Sequence, residues 1–136
     1  MTIRERVEGV AAYYATLNMT PEVKKEFTHL VDLQEFYFEK KDAERLRQVD
    51  DQFHDLICLQ SRRTVIMDTL IPLHRKTRRY RRIAMDDWER ATKTKGEHYE
   101  IYKAIVSGDA DLAAKLTQQH ITNAKVHMME GMKNNG

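Results

Sequence analysis

The stretch Val49-Asp50-Asp51-Gln52-Phe53-His54-Asp55-Leu56-Ile57 lies near the middle of the chain, and its reading decides the fold. Asp50 and His54 stand four residues apart in a segment with helical periodicity, which stacks the two side chains one turn apart on one helix face. Phe53, Leu56 and Ile57 flank that side, so the pair is expected to look inward. A carboxylate and an imidazole in a helical core need partners there, because an unpaired buried polar group is costly. A metal ion is one such partner. His98 and His120 follow far downstream, each on the apolar side of a predicted helix. The pattern points to a metal site of Asp50, His54, His98 and His120 inside an all-α bundle. Three imidazole nitrogens and one carboxylate suit zinc, nickel or manganese, and octahedral coordination would leave positions open for a carboxylate ligand or water.

The bulk properties agree with a helical domain. A length of 136 residues fits one domain with a sizeable core. Charged residues make up 32% and the hydrophobic set 41%, and only two prolines and five glycines punctuate the chain, with no strand-like alternation. A net charge of +2 is too small to argue for nucleic acid. The single cysteine, Cys58, leaves no intrachain disulfide and fits a reducing compartment. No apolar run approaches the roughly 18 residues of a membrane span, and the N-terminus lacks the apolar core of a signal peptide. The expectation is a soluble, cytoplasmic, all-helical domain.

In order, Thr2 caps a first helix to about Leu17, with Ile3, Val7, Val10 and Ala11 as its apolar stripe and Arg4–Glu8 as a solvated ion pair. Thr20-Pro21-Glu22 starts a second helix, to about Lys40, with Val23, Phe27, Leu30, Val31, Gln34 and Phe38 inward. The third, about Asp42 to Leu59, carries Leu46, Asp50, Phe53, His54 and Ile57 on its buried side. After Gln60–Arg63 a fourth helix runs from Thr64 to about Met85, with Pro72 expected to kink it or mark a local irregularity. Its basic run, His74 to Arg82, reads as a solvated face beside a core stripe of Leu73, Thr77, Tyr80 and Ala84. A second stripe, Met67, Ile71, His74, Arg78 and Met85, hints at an anion held within the bundle. Asp86-Asp87 starts another helix, expected to break near Lys95-Gly96 before His98, Ile101, Tyr102 and Ile105 share one face. Gly108-Asp109 is a tight turn into a last helix, about Ala110 to Met129, with Ala113, Leu116, His120, Ala124 and His127 on one stripe. Met128, Met129 and Met132 extend a contact surface, and Lys133 to Gly136 should fray. His29 and His127 read as surface or packing residues.

Other chemistries lack their motifs. There is no glycine-rich phosphate loop, no HExxH and no GxSxG. The acid–histidine spacing of four, without a second such pair, argues against a di-iron bundle. Cys58, in a Leu-Ile-Cys-Leu context, reads as a packing thiol.

Several motifs together resemble the FCD domain, the C-terminal effector-sensing domain of FadR-type regulators in the GntR family. Ile3 to Gly9 resembles the family's R-x-x-x-E first helix. Asp50 to His54 matches D-x-x-F-H, and Glu97 to Ile101 followed by Ala104 to Asp109 matches EHxxI…AIxxGD. His120 stands at the usual 22 residues from His98. The resemblance implies a dimerising antiparallel bundle of six or seven helices with a divalent metal held by Asp50, His54, His98 and His120. It also implies a small organic acid bound at or beside that metal, with Arg4 of the first helix in contact; Arg78 is added from its stripe position. Ser61-Arg62-Arg63 replaces the family's Gly-Asn-Pro turn. The winged helix-turn-helix of such regulators has no counterpart in residues 1–136, so operator DNA is expected to be reached only through an N-terminal domain outside this chain. The function implied is metal-dependent effector sensing and dimerisation for transcription regulation, without enzyme activity. The rival readings are a small metalloenzyme and a purely structural helical dimerisation module.

Overall fold

The computed structural model describes the backbone of residues 2–135 and their side chains, except those of Thr2, residues 79–86 and residues 132–135. Six helices follow one another: α1 (Thr2–Leu17), α2 (Pro21–Glu39), α3 (Ala43–Gln60), α4 (Thr64–Asp86), α5 (Trp88–Ser107) and α6 (Ala110–Asn135). The expected boundaries hold to within a residue or two for α1 to α4. Tyr80, Ala84, Met85 and Met132, assigned to stripes or surfaces from sequence, lie outside the described side chains, as does the Thr2 cap.

Local signals set the helix ends. The Thr20 hydroxyl accepts from the Val23 amide, with Pro21 in the first turn of α2. Asp42 Oδ1 accepts from Arg45 N at 3.1 Å to start α3. Asp87 alone separates α4 from α5, its Oδ1 taking the amides of Glu89 and Arg90. At Gly108, φ is +83°, and Asp109 N reaches back to Ala104 O at 3.0 Å, which closes α5. Asp109 Oδ1 then accepts from Leu112 N at 3.1 Å and opens α6.

Two expectations about helix length are corrected. There is no break at Lys95-Gly96: α5 runs through it, and Arg90 spans it with a paired contact to Glu97. One glycine inside a helix costs only about 1 kcal/mol, which such a tie offsets. The last helix does not stop near Met129 but continues to Asn135. Pro72 is accommodated inside α4 on its exposed side.

The core is one cluster around Phe27, Phe53, Ile57, Leu70, Ile101 and Ile105, with Ala11, Ala12 and Ala15 of α1 completing it. Phe27 and Phe53 meet edge to face at 5.9 Å. A smaller cluster joins Leu46 and Ala91 under the stacked rings of Phe38 and Trp88. Helix α1 lies antiparallel against α6, Glu5 pairing with Lys125 at 3.0 Å. Gly9 allows the close approach, since a Cβ there would stand 3.0 Å from the Ala114 carbonyl oxygen.

The buried side of α1 includes Ala11 and, packed against the core, Val7, as expected, but not the other two residues of the expected stripe. Ile3 is 62% and Val10 46% exposed, while Arg4 and Glu8 are at 2% and 0%. The ion pair is therefore inside the protein, on the face that carries the alanines. Small side chains let α1 pack closely, and the buried charges demand partners from other helices.

Arg62 sits at φ +55° between α3 and α4, at the position that matches the asparagine of the Gly-Asn-Pro turn. The Ser61 hydroxyl donates to Cys58 O at 2.7 Å, and Asn18 Nδ2 donates to Ser61 O at 3.0 Å, fixing the turn without it. Two of the three left-handed positions among the described residues, Gly108 and Arg62, give tests (the third is Lys41). Gly108→Ala should lower the unfolding free energy by about 1 kcal/mol and Arg62→Asn should raise it by a few tenths, because only Gly and Asn adopt this conformation cheaply. Urea unfolding midpoints at one protein concentration read both changes.

Candidate metal centre

Helix α3 contributes Asp50 and His54, α5 His98 and α6 His120, and all four are buried. Their ligand-capable atoms converge. His98 Nε2 is 3.2 Å from His120 Nε2 and 3.3 Å from Asp50 Oδ1. His54 Nε2 is 3.4 Å from both His120 Nε2 and Asp50 Oδ1. Donors held about 2.0–2.2 Å from one ion, at angles between octahedral and tetrahedral, stand roughly 2.8–3.6 Å apart. The spacing fits a single metal ion.

The tautomers sharpen the fit. His98 Nδ1 lies 2.6 Å from Gln34 Oε1, and the Gln34 amide nitrogen donates to Lys95 O at 3.4 Å, so the oxygen faces the histidine. His120 Nδ1 lies 2.6 Å from Glu97 Oε1, which can only accept when ionised. Both imidazoles therefore carry their proton on Nδ1 and present lone pairs at Nε2, directed at each other across 3.2 Å. Two lone pairs at that distance repel unless a cation lies between them. A proton is a poor candidate. Burial, with the His120 charge adding to it, holds His98 well below the usual imidazole range, and burial holds His120 down against its Glu97 hydrogen bond.

The ring of acceptors behind the histidines is itself held. Glu97 receives Arg90 Nη2 at 2.9 Å, Arg90 Nη1 at 3.3 Å and Asn123 Nδ2 at 2.8 Å. Burial opposes its ionisation, but His120, Arg90 and Asn123 bring its carboxyl down to about 2. His54 Nδ1 faces Glu8 Oε2 at 3.7 Å. Phe53 stacks on His98 with centroids 4.5 Å apart and closes that side to water.

Glu8 anchors a second polar group next to the first. Arg4 Nε donates to Glu8 Oε1 at 2.9 Å, and Arg4 Nη1 to Thr77 Oγ1 at 3.2 Å. His74 Nε2 contacts Glu8 Oε1, and its Nδ1 stands 2.8 Å from Asp55 Oδ1. Carboxylates on both ring nitrogens favour the imidazolium: burial opposes it, but Asp55 and Glu8 raise His74 above its ordinary value. The anion foreseen beside His74 is thus the chain's own Glu8. Glu8 is held well below 4.5, burial opposing and Arg4, His54 and His74 lowering it. Arg4 Nη2 and, one turn before His120, Thr117 Oγ1 are buried polar atoms without a hydrogen-bond partner among the described residues.

Of the residues singled out from sequence, the structure brings together Asp50, His54, His98 and His120, with Arg4 one residue removed behind Glu8. Arg78 is not among them: its side chain is 48% exposed and faces Asp51 and Asp55 at 3.6 Å. His127 pairs with Asp87 at 2.8 Å on the surface, in keeping with its bland reading. Cys58 is buried, and burial pushes its thiol up to about 12, so it is an inert packing residue. Glu8, Gln34, Glu97 and Thr117 were missed as site residues. Gln34 reads as inward from its phase and Glu97 lies inside a motif, so position is legible in the sequence and role is not.

Three histidines and one carboxylate from α3, α5 and α6 thus converge inside the helical bundle. The FCD domain model matches residues 1–123, and the chain belongs to the FCD family, the sensing domains of GntR-type regulators. Its fold is similar to that of E. coli McbR/YncC, with a TM-score of 0.83 at 17% sequence identity over 96% of this chain and 66% of that one. The chain therefore spans just under two thirds of that structure's length, and at this identity the likeness is one of fold. No curated protein matches the chain.

Glu8 gives this network a measurable weight. Breaking a buried ion pair by removing one partner costs about 3–5 kcal/mol, so Glu8→Gln should lower stability by an amount of that order at pH 6. Because Glu8 has a lowered folded-state value, its contribution is fully present above 4.5 and lost as the pH falls below it. The gap between wild type and variant, measured by urea unfolding without metal, should therefore narrow from pH 6 to pH 3.

Proposed function

We propose that the chain is the metal-dependent effector-sensing and dimerisation domain of a GntR-type transcriptional regulator, with Asp50, His54, His98 and His120 as ligands to zinc, nickel or manganese. The observation that carries this is the meeting of unprotonated Nε2 atoms at 3.2 Å, with the Asp50 carboxylate 3.3 Å from one of them. When bound, the metal supplies a Lewis-acidic centre with positions open to an oxygen ligand.

The effector class we infer is a small carboxylate. Arg4 Nη2 and Thr117 Oγ1 support it, as buried donors with no acceptor from the described residues. Arg4 is already oriented by Glu8 and Thr77, so an effector carboxylate would meet a guanidinium that needs no rearrangement. Arg78, held at the surface by Asp51 and Asp55, would at most shape the field at the edge of that site.

Sensing then works by population shift. An effector that touches ligand helices α3, α5 and α6 and the Arg4 helix at once favours one arrangement of the bundle over another, by its difference in affinity for the two. A DNA-reading domain joined to the bundle would respond to that arrangement, and operator binding would belong to it. The exposed residues Ile3, Val10 and Leu17 repeat every seven positions along α1 and offer an apolar stripe to a second copy of the chain. No helix among the described residues is long and apolar enough to cross a membrane, which is compatible with a cytoplasmic regulator.

Metal content decides the reading. Protein purified without an affinity tag should carry near-stoichiometric metal, and His54→Ala and His98→Ala should each remove it. Chelator should lower the melting temperature of wild type only, since a ligand bound to the native state stabilises it. With metal restored, small carboxylates should raise the melting temperature further, and Arg4→Ala should abolish that second rise. Metal-free protein whose melting temperature ignores added zinc, nickel and manganese would sink the proposal.

A further inference from the structure

Glu97 stands next to one proposed ligand in sequence but grips another in space. Consecutive helix positions diverge by about 100°, so His98 turns into the core while Glu97 crosses from α5 to α6 and accepts from His120 Nδ1 at 2.6 Å. Its carboxylate cannot swing away. Oε1 is shared by His120 and Arg90 Nη2, and Oε2 by Asn123 Nδ2 and Arg90 Nη1. Arg90 is itself 5% exposed and packs from about two turns earlier on α5. Asn123 lies one turn beyond His120 on α6, so both helices fix the same carboxylate.

The other two acceptors are weaker holds. Gln34 is a neutral amide on His98, and its second contact, to Lys95 O, is long at 3.4 Å. Glu8 stops 3.7 Å short of His54 Nδ1. Of the three imidazoles, only His120 is bonded to an ionised, clamped acceptor. Such an acceptor fixes which nitrogen is free and strengthens it as a donor to metal. Glu97 is also where the centre approaches solvent: it lines a cavity of about 550 Å³ between α5 and α6, together with Asp87, Arg90, Lys93, Asn123 and His127.

We infer that Glu97 is the principal positioning residue of the metal centre, clamping His120 from behind with the help of Arg90 and Asn123, and so setting how tightly the centre holds its ion. The inference rests on the metal reading above. Arg90 draws off part of the carboxylate's charge, so most of the effect is expected to come from orientation.

The test is the zinc dissociation constant of the whole chain, measured by competition with a chromophoric chelator, with the visible spectrum of the cobalt(II) form as a second readout. Glu97→Gln should weaken zinc binding by about 10- to 100-fold and alter the cobalt bands, because an amide can turn its nitrogen towards His120 and lose the tautomer. Asn123→Ala, which leaves every charge in place and loosens only one arm of the clamp, should weaken binding several-fold and serves if Glu97→Gln does not fold. His120→Ala should abolish binding. Wild-type affinity and an unchanged cobalt spectrum in Glu97→Gln or, where that variant does not fold, in Asn123→Ala would overturn the inference, even if the melting temperature dropped, while leaving the metal reading intact. Wild-type protein that binds none of zinc, cobalt, nickel and manganese would overturn both.

Discussion

Everything in this bundle is arranged around a repulsion. The Nε2 atoms of His98 and His120 face each other at 3.2 Å with their protons committed elsewhere, and Asp50 and His54 point at the same spot. A hydrophobic core would tolerate no such arrangement on its own account, since buried lone pairs without a donor lose their hydration and gain nothing. The acceptors behind the histidines enforce it. Gln34 and Glu97 dictate the tautomers, and Phe53 and the surrounding aliphatic residues keep water out. The cost of that centre is distributed over α2, α3, α5 and α6, so an ion bound there would act on the positions of all four.

The second polar group, Arg4–Glu8–His74–Asp55, extends the same logic to α1 and α4. Its charges alternate, so each buried ion has a counter-ion at hydrogen-bond distance. Buried ion pairs of this kind contribute little net stability compared with apolar packing, but they specify geometry, because any other register leaves a charge unpaired. Glu8 belongs to both groups, close to His54 on one side and bonded to Arg4 and His74 on the other. A change at the centre that moves His54 is therefore felt by α1 and α4 through one carboxylate.

The legible part of this structure was the part written in apolar periodicity and turn chemistry. D-x-x-F-H on a helix, the inward phase of His98 and His120, and the Gly108-Asp109 turn all follow from spacing of three, four or seven and from one residue that tolerates positive φ. The fold class and the four converging side chains were accordingly within reach. The α1 helix was not, because its buried face is Arg4, Glu8, Ala11, Ala12 and Ala15. Apolar bulk pointed to Ile3 and Val10, which are exposed, while the real face is built of charge and alanine. Arg4 and Glu8 share a phase with Ala11 and Ala15, and that coincidence was the available signal. The continuous α5 was hidden for a different reason: Gly96 looks like a break until the Arg90–Glu97 tie across it is known, and that tie is tertiary in origin.

Roles were harder to read than positions. Gln34 could be assigned inward from its phase, but nothing local shows that its amide meets an imidazole from a helix 64 residues away. The same holds for His74, whose two carboxylates come from α1 and α3. A buried polar residue announces only that it needs a partner; which partner it finds depends on how helices distant in sequence are brought together. In this chain that dependence runs both ways. The helices supply the acceptors that fix the imidazoles, and an ion held between the imidazoles would in turn favour the meeting of those helices. Were an ion bound there, any molecule that completes or distorts its coordination would act on four helices at once, which is the physical property that a sensor requires.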